Sequence, residues 1–156
     1  MPVTLRPNSE QVAIAWLSTI PGGTADVVAT TLPAPAQWIK NGAVILRVIG
    51  GSPAVYLPVA SPVLQIDCYA NKTGSGSPPW PKANLLAEQI RAACLDRHGM
   101  SRPLALSTGG VAYPLAVVEN ASMLTEPRRG YADKADYALY SFDLHLTWKT
   151  PGEVIA

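Results

Sequence analysis

Few residues of this chain have the type and spacing that catalysis needs. Asp143 and His145 are two positions apart, so both side chains would lie on one face of a strand, where a carboxylate can orient an imidazole for acid–base catalysis. No third partner accompanies them. Gly74-Ser75-Gly76 lacks the Gly-x-Ser-x-Gly pattern of a nucleophile elbow and is better explained as a linker. We therefore expect no enzyme, and a small hydrolase that uses His145 and Asp143 is the alternative from that class.

Metal and cofactor chemistry has equally little support. Cys68 falls on the apolar face of a predicted strand and Cys94 on the apolar face of a predicted helix, where free thiols behave as small hydrophobic side chains. A strand packed on that helix could still bring the two cysteines close together. His98 would lie in the last turn of the helix, where the helix dipole favours a cation. These residues lack the spacing of a zinc site, and no glycine-rich segment has a phosphate-binding pattern, so we expect no metal and no cofactor.

Composition and charge exclude further classes of function. The chain has 156 residues, of which 48% are hydrophobic, enough for one core and too few to argue for two. We expect one domain over residues 1–156. With a formal charge of +1, the chain lacks the excess of basic residues that a nucleic-acid-binding protein usually carries. No apolar run approaches the roughly 20 residues of a membrane-spanning helix, and the first residues lack a secretion signal, so we expect a soluble protein.

A strand, a loop and a helix follow one another in the middle of the chain. Apolar and polar residues alternate over residues 63–70, which predicts a half-buried strand. Gly, Ser and Pro residues near 71–80 then predict a projecting surface loop. Pro81 suits the first turn of a helix and Gly99 its end. The apolar helix face, which needs a cover, consists of Ala83, Leu86, Ala87, Ile90, Ala93 and Cys94.

The N-terminal part predicts a second helix followed by strands. Asn8 can cap a helix whose third residue, Gln11, completes a capping box. Residues 24–35 are interpreted as a connector, in which residues 27–28 could pair with another strand, although Pro33 and Pro35 limit any strand to an edge or an extended link. Residues 44–49 predict a strand, and residues 54–57 its return strand. The apolar side of the helix carries Val12, Ala13, Trp16, Leu17 and Ile20.

The C-terminal part contains the clearest strand pattern of the chain. Residues 138–149 alternate between an apolar set and a set that is polar apart from Leu139, so a slip of one residue would exchange the two faces. The preceding residues 126–136 are charged and lack apolar periodicity, and should project from the sheet as an arm or a hairpin tip. Residues 111–119 predict one more strand.

These elements predict an α+β fold. It has a mixed, mostly antiparallel sheet of about four to five strands with two main helices packed on one face. The other sheet face has to meet water or a partner. It would carry Gln65, Asp67, Tyr69, Ser141, Asp143, His145 and Thr147.

Four aromatic residues at predicted element edges and in loops allow two interpretations. Beside Arg128 and Arg129, exposed rings would suit a protein interface, where aromatic and Arg residues are enriched. Alternatively, the loops fold back and the rings cover their own core. The four residues are Trp38, Trp80, Tyr131 and Tyr137.

Element order and local patterns together point to a family. A helix opens with Asn8-Ser9-Glu10, an Ala-rich helix is entered through Pro79-Trp80-Pro81-Lys82-Ala83, and the last strand contains Asp136-Tyr137-Ala138-Leu139-Tyr140-Ser141-Phe142-Asp143. Over most of its length the chain resembles the tail terminator proteins of long-tailed (siphovirus-like) bacteriophages. It departs from them in the Pro-rich connector at residues 21–35 and in the arm at residues 128–133.

The resemblance implies a structural virion protein without catalysis. Six copies would form a ring at the head-proximal end of the tail, ending tube polymerisation and offering the head-attachment surface. The implied partners are further copies of itself, the tail tube protein and a head-to-tail connector or stopper protein, while DNA only passes through the lumen and no membrane is involved. Before assembly the protein would be in the host cytoplasm. Another connector or tail tube component is the nearest alternative.

A ring requires two different patches on each copy, related by a rotation that closes. The two projecting loops supply candidates for a subunit or partner interface, and the polar sheet face supplies candidates for a lumen. The interface candidates are Lys72, Trp80, Arg128, Arg129, Tyr131 and Asp133, and the lumen candidates are Asp67, Asp143 and His145.

Overall fold

The computed structural model describes residues 5–53, 59–132 and 134–151. The predicted return strand at residues 54–57 and the candidate Asp133 lie outside the described residues. Within these ranges the chain forms two α-helices, one short 3-10 turn (Pro35–Gln37) and eight strands. In chain order they are α1 (Ser9–Ser18), β1 (Val27–Ala29), β2 (Ala43–Ser52), β3 (Val59–Asn71), α2 (Trp80–Leu95), β4 (Ser107–Thr108), β5 (Val111–Ala112), β6 (Val117–Met123), β7 (Arg128–Arg129) and β8 (Tyr137–Lys149).

Six strands form one sheet in the order β1-β2-β3-β8-β6, and β7 pairs with β8 beside β6. The segment interpreted as a connector contains a short strand, because β1 pairs in parallel with β2 at the edge of the sheet. The other pairs are antiparallel. The predicted α+β class with a mixed, mostly antiparallel sheet is confirmed. The sheet has one strand more than expected because the two-residue β7 extends its margin. β4 and β5 form a separate small hairpin.

Both ends of α1 are held by side chains. The Oδ1 of Asn8 accepts the Gln11 N–H at 2.8 Å and the Gln11 Oε1 accepts the Asn8 N–H at 2.9 Å, which is the predicted capping box. At the other end, Arg102 donates to the Trp16 carbonyl and to the Thr19 hydroxyl, and its guanidinium lies 5.1 Å from the centre of the Trp16 ring. The chain beyond α2 therefore fixes the C-terminal end of α1.

α2 ends at Leu95, so the expectation that His98 lies in its last turn is wrong. Asp96 has extended backbone, and its Oδ1 accepts the N–H groups of His98 and Gly99, both at 3.1 Å. This local side-chain turn competes with continued helical hydrogen bonding and ends the helix. His98 is an exposed residue of the following turn.

Both helices pack on one face of the sheet, as predicted. The strand residues that meet them stand at alternate positions, so the predicted facing of β3 and β8 is correct over the described residues. Cys68 and Cys94 are buried free cysteines, as expected. The main members of this core are Val12, Trp16, Leu17, Val44, Leu46, Leu64, Ile66, Cys68, Leu86, Ile90, Phe142, Leu144 and Leu146.

The opposite face of the sheet is covered at one end by the connector between β1 and β2. Trp38 is fully buried there, and its Nε1 donates to the Pro33 carbonyl at 3.0 Å. Its ring meets the rings of Tyr69 and Tyr137 edge-on, with centroids 6.1 and 5.0 Å away. Trp38 and Tyr137 therefore do not form an exposed interface. The loop folds back, and their rings cover the core of the same chain.

The structure gives more detail on two predicted segments. The described part of residues 126–136 takes the second of its two predicted forms, a hairpin tip, because β7 pairs with β8 and the Gly130 N–H donates to the Leu139 carbonyl at 2.9 Å. The strand predicted at residues 111–119 is divided between β5 and β6. Pro114 stands between the two strands and has no N–H to continue a ladder.

Candidate functional site

The helix-free side of the sheet carries a band of polar side chains, which we call the open face. Its members occupy the positions of β2, β3, β6 and β8 that alternate with the core positions. Most of them are half-buried, since neighbouring strands shield them from the sides. The open face consists of Arg47, Gln65, Asp67, Asn120, Ser122, Ser141, Asp143, His145 and Thr147.

Hydrogen bonds connect three strands across the open face. Arg47 donates to the Gln65 Oε1 at 2.9 Å, and the Gln65 amide donates to the Asp67 Oδ1 at 3.3 Å. The Ser141 hydroxyl donates to the same Asp67 oxygen at 2.6 Å. Asp67 is therefore held in place by both neighbouring side chains and is presented on the surface as a fixed acceptor.

Asp143 and His145 lie on the open face, as their spacing predicted. His145 stands between Val63 on β3 and Ser122 on β6. The backbone N–H of Asp143 donates to the Thr125 hydroxyl at 2.9 Å. Among the residues that the structure describes, no hydrogen bond joins the Asp143 carboxylate to the His145 ring. The geometry thus supplies a polar surface and lacks the contact on which an acid–base pair depends.

Within the described residues, no three His, Cys, Asp or Glu side chains are close enough together to hold a metal ion. Neither described helix has the length and apolar character needed to cross a membrane.

Within the described residues, no strand pairs with part of each margin of the sheet. β1 covers β2 only from Ala43 to Ile45, and no described strand pairs with the outer side of residues 46–52, which we call the β2 edge. On the opposite margin a bridge joins Leu104 to Ala116. Beyond that bridge no described strand pairs with the outer side of β6, which we call the β6 edge. Unpaired N–H and C=O groups on a margin are a template for pairing with another chain.

The two edges lie at the same level of the sheet. Val48 pairs with Leu64, Leu64 with Leu144, and Leu144 with Met123, so one row of residues crosses from the β2 edge to the β6 edge. β2 and β8 run in the same direction, since both are antiparallel to β3, and β6 is antiparallel to β8. The two edges consequently run in opposite directions.

The two loops predicted as contact surfaces lie side by side at the other end of the strands. The Lys72 N–H donates to the Asp136 carbonyl at 3.2 Å, and the Gly74 N–H donates to the Asp136 carboxylate at 3.1 Å. Lys72 is exposed, and Tyr131 is fully exposed. The structure therefore combines the segments near 71–80 and 126–136 into one surface, which we call the loop end.

Trp80 and Arg129, two candidates from different loops, contact each other. The Arg129 guanidinium lies 4.6 Å from the centre of the Trp80 ring, and the Tyr140 ring meets Trp80 edge-on at 5.9 Å. Arg129 also donates to the Tyr140 hydroxyl at 3.3 Å. This contact holds β7 against the start of α2 and supports the hairpin tip that carries Tyr131.

A second contact holds the same segment to the middle of α2. Arg91 donates to both carboxylate oxygens of Glu126, at 3.3 and 2.7 Å. The hydrogen bond from Arg91 and its positive charge lower the pKa of Glu126 below its ordinary value. Both groups are exposed, so the pair orients the segment more than it stabilises the fold.

The β2 and β6 edges are not among the candidate sites predicted from the sequence. One feature of the sequence does mark the β2 edge, because the apolar pair Val48 and Ile49 directly precedes Gly50-Gly51. In the structure both side chains are substantially exposed. An apolar strand that remains exposed in the folded chain is unusual, because natural sheets protect their edges. Which strands form the margins depends on strand order, which no local pattern encodes.

Similarity to known proteins is found among solved structures. No family model matches the chain, and no curated protein matches it. A chain from a structure entitled "Virion of native gene transfer agent (GTA) particle" is 16% identical, with a TM-score of 0.47, and the match covers 90% of this chain and 89% of that chain.

Proposed function

We propose that this chain is a structural virion protein that forms a ring at the head-proximal end of a phage tail tube. There it would end tube polymerisation and offer the surface for head attachment. The observation that carries the proposal is that the β2 edge and the β6 edge share one level and run in opposite directions. The order α1, β2, β3, α2 and β8, on which the resemblance to tail terminators depends, is also the element order of the fold.

Copies related by rotation about an axis roughly along the strands would bring the β2 edge of one copy beside the β6 edge of the next. Rotation preserves strand direction relative to the axis, so the two edges would pair as antiparallel strands. Such an interface uses two different surfaces and closes when the rotation divides a full turn. Closure would pair both edges of every copy and leave none of them open. The resemblance implies six copies.

In such a ring we assign the open face to the lumen. The layer that contains α1 and α2 needs the larger circumference and would lie outside. Asp67, Asp143 and His145 would then line the channel. Carboxylates repel phosphates, and the guanidinium of Arg47 is already bonded to Gln65, so DNA would pass without being held.

The loop end suits a partner stacked on the ring along its axis, because it lies at one end of the strands and away from the two edges. We propose that Lys72, Arg128, Tyr131 and the neighbouring Asp133 meet the tail tube protein or the connector. Trp80 and Arg129 would position this surface through their mutual contact.

The mass of the purified protein, measured by sedimentation up to its solubility limit, tests the ring. We expect concentration-dependent closed assemblies that negative-stain microscopy resolves as rings. Val48→Pro removes an N–H from the β2 edge and should abolish assembly, while Val48→Ile keeps the N–H, the branch at Cβ and the apolar surface and should assemble. Rings of normal stability formed by folded Val48→Pro protein would contradict the edge pairing, and a wild-type chain that stays monomeric would contradict the ring.

Two alternatives make different predictions. Another connector or a tail tube component would label a different part of the particle, so electron microscopy of tails carrying a tagged chain distinguishes these positions. A hydrolase that uses Asp143 and His145 predicts an activity that His145→Ala abolishes. Unchanged assembly by His145→Ala, with no hydrolysis detected in the parent protein, would exclude that class.

A further inference from the structure

A groove runs along the β6 edge, between β6 and the C-terminal part of α2. It has a volume of about 310 Å³ and is bounded by Cys94, Leu95 and Arg97 on one side and by residues 120–123 on the other. Leu95 is 75% exposed and lies on the accessible side of α2, four residues after Arg91 and seven after Glu88. Among the charged groups at the groove, Arg91 is engaged by Glu88 and Glu126.

The β2 edge carries a matching set of groups on the same side of the sheet. Val48 occupies a helix-side position, since its partner Leu64 belongs to the core, and yet it is 41% exposed. The Glu10 carboxylate, in the first turn of α1, accepts the Val48 N–H at 3.3 Å. A charged group on an unpaired edge is one way in which proteins prevent unwanted strand pairing.

We infer that the groove is the docking site for the β2 edge of a second copy. Val48 of the second copy packs against Leu95 of the first. Arg97 of the first copy pairs with the Glu10 carboxylate of the second and so separates it from the Val48 N–H. The inference rests on the ring proposed above and names the side chains that make its interface specific.

Two matches between the surfaces support this occupant. Extending the sheet from β6 of one copy into β2 of the next keeps the two faces separate, so apolar Val48 meets the helix-side residues Ala121 and Met123. Arg47 correspondingly meets the polar side of β6, at Asn120 and Ser122. The charges are also complementary, because Glu10 and Arg97 both lie on the helix side. Transfer of Glu10 to Arg97 would release the Val48 N–H for the neighbouring strand at the moment of docking.

Exposed side chains allow a test with matched controls. Leu95→Ser and Arg97→Glu should each raise the dissociation constant of the assembly about tenfold or more, within the range that single interface residues contribute. Leu85→Ser, a change of another exposed leucine on α2, and Lys40→Glu, an equal charge reversal away from both edges, should leave it unchanged. Circular dichroism and thermal unfolding establish that each variant is folded.

A charge exchange adds a readout that general destabilisation would not reproduce. Glu10→Lys combined with Arg97→Glu in one chain should recover most of the association that Arg97→Glu loses, because each interface then regains an opposite pair. If the wild-type chain forms rings and Leu95→Ser and Arg97→Glu associate as tightly as the wild type, the docking site is wrong and the ring stands. A failure of the double variant to recover would also overturn the pairing of Glu10 with Arg97. A wild-type chain that never associates would overturn both proposals.

Discussion

The hydroxyl of Ser141 donates a hydrogen bond of 2.6 Å to the carboxylate of Asp67, directly across the central strand pair. The distance is short because the acceptor is charged. The Gln65 amide reaches the same oxygen, so a lumen candidate is fixed by side chains from its own strand and from the next. On this face the polar side chains bond to one another and still remain partly accessible.

Replacing Ser141 by Ala should lower the free energy of unfolding by about 1 kcal/mol, since Asp67 loses one donor and keeps Gln65. Urea denaturation measures the change. Thr147→Val, on the same strand face, is the control and should shift the free energy by less than about 0.5 kcal/mol. Equal effects of the two substitutions would mean that the hydrogen bond to Asp67 contributes nothing specific.

Replacing Trp38 by Ala should destabilise the fold by about 3 to 5 kcal/mol, the usual cost of removing a fully buried large ring. The ring covers the end of the sheet beside Tyr69 and Tyr137. Trp38→Phe keeps an aromatic ring and should cost less. If Trp38→Ala unfolded at the wild-type denaturant concentration, the connector would not be part of the core in solution.

Replacing Leu144 by Ala should cost about 2 to 5 kcal/mol, because the side chain is fully buried on the helix side of β8. Leu124→Ala is the matched control, and its effect should stay below about 0.5 kcal/mol since that leucine is 54% exposed. Chemical denaturation of both variants gives the comparison. A larger loss of unfolding free energy for Leu124→Ala than for Leu144→Ala would show that the assigned facing is wrong.

Glu126 should titrate below the ordinary range of glutamate, and Arg91→Gln should return its pKa to that range. Because the pKa of Glu126 is lower in the folded than in the unfolded chain, the ionised carboxylate stabilises the fold at pH values above the unfolded pKa. This stabilisation is lost as the pH falls through the folded pKa. Carbon-detected NMR titration of the Glu126 side chain measures both values. An unchanged pKa in Arg91→Gln would show that the contact with Arg91 is not formed in solution.

Cys94 should react with a thiol reagent before Cys68, and both should react far more slowly than an exposed cysteine. Burial raises the pKa of Cys94 to about 11, and raises the pKa of the fully buried Cys68 further, so thiolate is scarce at neutral pH. Mass spectrometry of the labelled protein over time gives the order. Immediate labelling of Cys68 would contradict its place in the core.

Sequence patterns predicted the position of residues in regular strands and did not predict the position of aromatic residues in loops. Alternation placed Phe142 and Leu144 correctly, because a strand with one buried face encodes its facing in every second residue. Trp38 carries no such pattern, since it lies in an irregular connector whose path depends on what it covers. The contact between Arg129 and Trp80 was equally unpredictable, because the two residues are far apart in the chain.

By itself, the sequence determined the capped helix α1, the amphipathic face of α2 and the facing of β3 and β8, because hydrogen bonding at a cap and periodic burial are local properties. Only the tertiary structure decided that β2 and β6 form the margins of the sheet, that Val48 and Met123 stand at one level, and that the two polar loops share one end. Strand order is set by which apolar faces pack together over long separations in the chain, and no short segment contains that information.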